Sequence, residues 1–529
     1  MNRYDLYCLY IDHLYRHLNR VHGVDRSRIY WEQLIGPWLM MFIWQVAYFY
    51  ESSKQLDYST IEQDKPFSVP YDFLSYLNLF YLSDYAYRLD YLIKNPQKID
   101  KILDYHCVKY TNKAHSSLKQ IALGVAAWIT RFCVAGAQVV MVSPYLSIAD
   151  QVRIMWRSKF KVIPLFFQNN VEPIDPIDID MRNWYCKRSA FKGSLDELIY
   201  NLVLKQMPYV HMEGYIGLHQ NIPPWTPCLR LIFSAVGWSG DESLKLFAAE
   251  MRERGVLLVG MQHGGNPYGT GVAPMVKLEQ SMVDLYLTWG WKYRERDVPF
   301  IAVKFSQQKI INTKKSFQST TPDSILFVST YTPKFFPDNL GMPSGDQIES
   351  YLEDERRFFE SLSSNRRNEI RIRVHVESEF YGWRQREQLE ELGLNLKFDN
   401  ATPYVDAVFS SKLVVCDNFN STFTEALIYN IPTILFFDPQ LYPLNGSFQK
   451  LFQRMNKAGI IHIDPLSAAN HIEKIGDNPL AWWNSLEIIE LRDEFLSLYG
   501  DSENDPLGVL VIKLKSLLNT VNLRVKFSK

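Results

Sequence analysis

Four stretches of the chain concentrate residue types that could do chemistry. The first is Asp417–Asn418–Phe419–Asn420–Ser421–Thr422, with Glu425 one turn further on. Asn418, Asn420, Ser421 and Thr422 place amides and small hydroxyls where a helix begins. The unpaired N–H groups of a helix start make that a site for phosphate. The same residues also read as an ordinary cap, because Asn and Ser are favoured there and Thr422 and Glu425 have capping-box spacing. A carboxylate beside a phosphate would repel it, so Glu425 suits ribose hydroxyls or the cap, leaving Ser421 and Thr422 to the phosphate. The second stretch is Gln262–His263–Gly264–Gly265, followed by Asn266 and Tyr268. Its glycines permit a tight backbone and close ligand approach. His263 could act there as a general base or bind an anionic sugar, or be incidental to a turn. The third is a carboxylate pair, Glu279 and Asp284, on the helix leading to Thr288–Trp289–Gly290–Trp291. A carboxylate can serve as nucleophile or stabilise oxocarbenium charge in a retaining transfer, although a surface helix explains either residue alone. The fourth is Arg371, Arg373, His375 and Glu377, whose alternation puts them on one strand face. His375, at the strand end near Tyr381, Trp383 and Arg384, could meet a nucleotide phosphate or base; an exposed strand face is the alternative.

These residues need particular elements behind them. Leu413–Cys416 is a short apolar strand. Phe423, Ala426, Leu427 and Ile431 mark a helix, Pro432 ends it, and Thr433–Phe437 is a second buried-type strand. That is a βαβ unit of a parallel sheet, which binds ligands at the carboxyl ends of its strands. Further strands are expected at 324–329, 370–376, 395–398 and 460–463, with helices at 347–361 and 385–392. Upstream, strands at 139–142, 159–167, 229–235, 256–260 and 285–288 and a helix at 241–254, closed by Gly255, form another α/β layer. Residues 1–135 read as mostly helical, with a helix over Tyr4–Arg20, a buried helix starting at Pro37 and another helix at 116–136. Residues 306–322 are polar, basic and poor in apolar side chains, a linker composition. Helices at 482–499 and 506–518 close the chain. The expected fold class is therefore α/β, with two Rossmann-like domains facing a cleft. The domains are 1–310 (helical 1–135, α/β 136–305), 311–490, and closing helices over 491–529.

Composition narrows the classes. At 529 residues the chain exceeds a single core. Hydrophobic residues make up 47% and charged ones 22%, a globular balance, and the net charge of −1 gives no electrostatic case for nucleic acid. The 31 Tyr, 31 Phe and 13 Trp suit carbohydrate stacking as well as core packing. Six scattered cysteines without a C-x-x-C pair argue against a zinc site or disulfide framework and for a reducing cytoplasm. Charges interrupt every apolar run of the N-terminus, unlike a signal peptide. The apolar window Gly36–Tyr50 is shorter than the roughly twenty residues that span a bilayer. Leu510–Lys529 mixes apolar residues with Lys513, Lys515, Arg524, Lys526 and Lys529, as either a peripheral membrane helix or a solvated terminal helix does. Asp178 and Asp180 have the D-x-D spacing of metal-dependent sugar transfer, but a Pro- and Asp-rich run with no strand before it reads as a solvated loop. No metal site is expected.

Two α/β domains with one linker and closing helices resemble the plan of the GT-B glycosyltransferases. In that plan the nucleotide lies mostly on the C-terminal domain and the acceptor on the N-terminal one. No metal is required, because helix dipoles and basic or hydroxyl side chains support the leaving phosphate. The segments LNRVHGVDRSRIYWEQLIGPWL, MQHGGNPYG, LYLTWGW, ILFVSTYTP, RVHVESEFYGW and DNFNSTFTEALIYNIPTILFFDP together resemble a family of surface-carbohydrate (O-antigen or capsule) transferases of bacterial nonulosonic-acid loci. The likeness runs from about residue 15 to about residue 500. Members often carry extra sequence before that opening, so an N-terminal strand is expected to be missing here. More distantly, the QHGG and NSTFTEAL blocks are similar to capsule Kdo and sialic-acid-type transferases, which use CMP-sugars, and to CDP-glycerol glycerophosphotransferases.

The resemblance implies a metal-independent cytoplasmic enzyme, working in solution or at the inner membrane face. Its donor would be a nucleotide sugar, CMP-linked, of pseudaminic, legionaminic or Kdo type, with no other cofactor. Its acceptor would be a glycan or lipid-linked glycan of capsule or lipopolysaccharide. His263 would be the base or an acceptor-site residue, and Ser421, Thr422 and Glu425 would meet the nucleotide phosphate and ribose. A CDP-glycerol-type phosphotransferase and a non-catalytic nucleotide-binding partner in polysaccharide assembly are the alternatives.

Overall fold

The computed structural model describes residues 2–52, 67–81, 83–101, 105–109, 130, 134–167, 177–184, 194–224, 226–264, 274–316, 323–330, 347–375, 383–441 and 444–527. The chain divides into two compact units. One comprises Met1–Met261, Met275–Leu285 and Lys513–Lys529; the other comprises Gln262–Pro274 and Tyr286–Ile512.

A small parallel pair, β1 (Phe67–Pro70) and β2 (Tyr105–Val108), lies in the region read as helical. The first large sheet contains β3 (Val139–Val142), β4 (Val162–Pro164), β5 (Leu231–Ser234), β6 (Leu257–Met261), β7 (Leu285–Thr288) and β8 (Asp297–Pro299), in the order β4-β3-β5-β6-β7-β8. The second contains β9 (Ser324–Val328), β10 (Ile370–Arg373), β11 (Lys397–Phe398), β12 (Ser411–Cys416), β13 (Thr433–Phe436) and β14 (Ile461–His462), in the order β11-β10-β9-β12-β13-β14. Its pairs are all parallel. Counted from its first strand, that sheet has the dinucleotide-binding order, which reverses between β9 and β12 and opens a crevice beyond their carboxyl ends. β3, β5, β9 and β13 are buried at every position, as parallel strands covered on both faces are. Phe327 of β9, Phe436 of β13 and Phe358 and Phe359 of the helix Gln347–Ser361 pack together in the second core.

Two helices depart from the sequence expectation. The buried helix begins at Arg28 and runs through Pro37 to Glu51. Ser27 caps it, its hydroxyl accepting the Tyr30 N–H at 3.1 Å, and residues 33–47 are all buried, so packing overrides the helix-breaking proline. The expected linker is largely a helix, Val303–Ser316. Its polar outer residues hide an inner row, Val303, Phe305, Ser306 and Asn312, that is buried. The helix expected at 116–136 falls mostly outside the described residues. No helix among those described is long and apolar enough to cross a membrane.

Candidate functional site

The loop after β12 and the helix Ser421–Tyr429 meet at the carboxyl end of the second sheet, at its point of reversal. Asn420 is the cap: its Oδ1 accepts the Ser421 N–H at 2.7 Å. Ser421 and Thr422 are therefore the first two helical residues, and the Thr422–Glu425 capping box does not form. Asn418 is 4% exposed and donates its amide to Asp417 Oδ1 at 2.9 Å. Ser421 and Thr422 remain half-exposed at the helix head.

The Gln262–Gly264 turn belongs to the same unit and lies against this helix head. A Cβ built on Gly264 would stand 3.6 Å from Ser421 Oγ. His263 and Gly264 are half-buried there. The turn is stapled from below by Gln262, which is 3% exposed. Its Oε1 accepts the Trp289 N–H at 3.0 Å and the Trp291 Nε1–H at 2.8 Å. Its own carbonyl accepts Trp289 Nε1–H at 3.1 Å, and its N–H donates to Leu287 O at 2.8 Å. These bonds make Gln262 a support of the turn, while its Nε2 has only a 3.5 Å contact with Gly264 O. Gly290 makes the staple possible: its φ is +118°, and a Cβ would meet Ser497 O at 2.8 Å.

Glu425 faces inward from the second turn of the helix. Tyr429 donates to its Oε1 at 2.6 Å, and Lys304 and the buried hydroxyl of Tyr404, beside Thr422, stand close by. Burial pushes its carboxyl up to about 7 against the opposing pull of Tyr429, Lys304 and Tyr404. It is thus half-protonated near neutrality.

Other expected residues separate from this group. Asp284 sits just before β7, at the amino end of its strand. It binds Arg252 at 3.1 Å and accepts the Leu258 N–H at 2.8 Å, so its carboxylate ties strand starts together and a catalytic part does not stand. Glu279 is half-buried on the helix Pro274–Ser281 of the other unit. His375 follows β10 by two residues, at the carboxyl edge of the second sheet. Gly265 and Tyr268 lie outside the described residues, as do Glu377 and Tyr381. Asp178 and Asp180 are exposed, and Asp178 accepts the N–H groups of Asp180 and Met181 at 3.0 and 3.2 Å, the solvated turn anticipated. Tyr404 and Lys304 carry no local signal of a role; only the fold brings them to Glu425.

Two six-stranded sheets, with a hydroxyl-bearing helix head at the reversal of one of them, define the chain as an α/β protein of ligand-binding architecture. It belongs to the LIC12162 family of transferases, whose model matches residues 4–514. No curated protein matches the chain. Among solved structures it is distantly similar to the UDP-GlcNAc 2-epimerase of Methanocaldococcus jannaschii, with 9% identity over 72% of this chain and 99% of that one and a TM-score of 0.39. It is similar to the wall teichoic acid polymerase TagF, with 11% identity over 77% and 96% and a TM-score of 0.35. It is similar also to MurG of Acinetobacter baumannii, with 12% identity over 72% and 99% and a TM-score of 0.33.

Proposed function

We propose that the enzyme is a metal-independent glycosyltransferase that moves a sugar from a nucleotide donor to a capsule or O-antigen glycan, the donor being a CMP-activated nonulosonic or octulosonic acid. The observation that carries this reading is the approach of Gly264 to Ser421 at the switch point of a dinucleotide-type sheet. His263 is the neighbour of Gly264 in the chain, and the helix head is of a kind suited to phosphate, which supports the reading. In this reading the helix head and the Ser421 and Thr422 hydroxyls stabilise the leaving nucleotide phosphate. His263 takes the proton of the acceptor hydroxyl as its oxygen bonds the anomeric carbon and the carbon–phosphate oxygen bond breaks. Glu425 and His375 serve the ribose and base, and Glu279 remains a candidate for stabilising oxocarbenium charge. The choice of CMP and of sugar class rests on the sequence resemblance. A lipid-linked acceptor would require the enzyme to work at the membrane, which the basic sequence at the end of the helix Pro506–Phe527 suits.

The test is turnover of CMP-, UDP- and GDP-sugars and CDP-glycerol by purified enzyme. CMP release from a CMP-sugar supports the reading, and turnover of CDP-glycerol overturns it in favour of phosphotransfer. His263→Ala should slow transfer by ~10²–10⁴-fold while CMP still binds. Full transfer by that variant removes the role given to His263.

A further inference from the structure

The reversal point of the second sheet also holds two buried carboxyls that the reading above does not use. Glu355, on the helix Gln347–Ser361, is 0% exposed, and Asp417, the first residue after β12, is 2% exposed. Three side-chain donors serve three of their four oxygens. Gln385 Nε2 donates to Glu355 Oε1 at 2.7 Å, the Tyr351 hydroxyl to Asp417 Oδ2 at 2.7 Å, and Asn418 Nδ2 to Asp417 Oδ1 at 2.9 Å. The Tyr351 oxygen in turn accepts the Thr330 N–H at 3.1 Å, which ties the end of β9 to the end of β12. Glu355 Oε2 is left without a donor, and no cation pairs with either carboxyl among the described residues. Two ionised carboxylates offer only acceptors to each other, so a doubly charged pair would be both unpaired and mutually repelled. The Tyr351 hydroxyl, 3.2 Å from Glu355 Oε1 and 2.7 Å from Asp417 Oδ2, brings the two carboxyls together, and one proton shared between them removes both faults. Burial first, and the charge of Asp417 second, hold the Glu355 carboxyl well above the usual carboxylate range.

We propose that Glu355 and Asp417 share a single proton and act as a positioning pair, fixing the loop Asp417–Asn420 so that the head of the helix Ser421–Tyr429 can receive a nucleotide phosphate. This rests on the nucleotide-site reading of that helix head. Among the described residues, the groups facing the pair are Tyr351 on the Glu355 helix, the Thr330 N–H just after β9, Gln385 from the helix Gln385–Glu390, and Asn418 and the buried Cys416 thiol from the β12 side. None of them supplies a positive charge. A cavity of about 220 Å³, lined by Glu349, Glu353, Arg356, Trp383, Gln385 and Glu355 among others, reaches Glu355 from outside. Arg356, the cation among the described lining residues, is bound at the surface to Glu353 and Glu360. The cavity gives water a route to hydrate the pair when it loses its proton. The sign follows: the protonated pair holds the loop, so order and nucleotide affinity fall as pH rises through the pair's ionisation.

Infrared difference spectroscopy of the full chain, wild type minus Glu355→Gln, reads the proton directly. The spectra are taken at about pH 8.5, above the ionisation of Glu425 near 7. The expected result is a protonated-carboxyl carbonyl band in the wild type that the variant lacks; no such band overturns the shared proton. CMP titration from about pH 7 to about pH 10 reads the positioning. Wild-type affinity should fall by about tenfold per pH unit beyond the ionisation, while Glu355→Gln, which keeps an N–H donor toward Asp417 but cannot ionise, should lack that fall. Equal falls in both overturn the positioning role. If the band is present but CMP binds at no pH, it is the nucleotide reading that fails, and hydrogen exchange over 414–423 then decides whether the pair holds the loop. Faster exchange above the ionisation, after correction for intrinsic rates, is expected in the wild type alone; exchange that is the same in both overturns the pair's role.

Discussion

Gln262→Leu isolates the staple beneath the candidate catalytic turn. Leucine keeps the volume and loses the acceptor, leaving the Trp289 N–H and the Trp291 Nε1–H, bonded in the native protein at 3.0 and 2.8 Å, without a partner in a site where Gln262 is 3% exposed. An orphaned buried donor costs ~1–3 kcal/mol. Two of them, with some rescue by water, should cost about 3 kcal/mol of local stability, or ~10²-fold more frequent opening. Hydrogen exchange with residue-level resolution is the assay. The reporters are amides that Gln262 does not touch: Phe300, bonded to Thr288 O at 3.0 Å, and Asp501, bonded to Trp289 O at 3.2 Å. Both should exchange ~10²-fold faster in the variant. In a Trp291→Phe background, which removes one of the two donors beforehand, Gln262→Leu should cost ~1–2 kcal/mol less. Acceleration below about threefold at both amides, or no coupling to Trp291, would refute the staple and return Gln262 to the ligand-contacting role.

Three further outcomes follow from the same geometry. Gly290→Ala forces a Cβ to 2.8 Å from Ser497 O at a φ of +118°. It should cost ~2–3 kcal/mol or more, read as a lowered melting temperature; a shift within error means the backbone can move aside. Gly264→Ala should be tolerated, because its Cβ would sit 3.6 Å from Ser421 Oγ, whereas Gly264→Leu should fold but lose CMP binding in calorimetry. Glu425 has a folded-state value of about 7 against an ordinary 4.5, so its stabilising effect is full below about 4.5 and is lost as pH rises through 7. Wild-type stability in urea should drop by about 3 kcal/mol across that window relative to Glu425→Gln, and parallel pH profiles would show that Glu425 titrates normally.

The sequence carried the second sheet clearly where strands such as β9 and β13 are buried runs bounded by polar loops, and its helix Gln347–Ser361 has the apolar period of a half-buried element. It carried the first helices less well. Pro37 reads as a start only when the Ser27 cap ten residues earlier is overlooked, and an all-round buried helix has no polar face to set its phase. At the site, the turn Gln262–Gly264 and the helix head at Ser421 were legible because glycines and hydroxyls next to strand ends are local signals. Gln262, Glu355 and Tyr404 were not, since each acts through a partner far along the chain: Trp291 for Gln262, Asp417 for Glu355 and Glu425 for Tyr404. The same asymmetry explains Asp284, whose spacing before a strand resembles a catalytic carboxylate while its oxygens are spent on Arg252 and the Leu258 N–H. A residue's type and spacing can nominate it for chemistry, but only its hydrogen-bond partners show whether its polar atoms are left to meet a substrate. By that standard Gln262 and Asp284 belong to the frame that holds the site, because the side-chain oxygen of one and the carboxylate of the other are taken up by Trp289, Trp291, Arg252 and the Leu258 N–H.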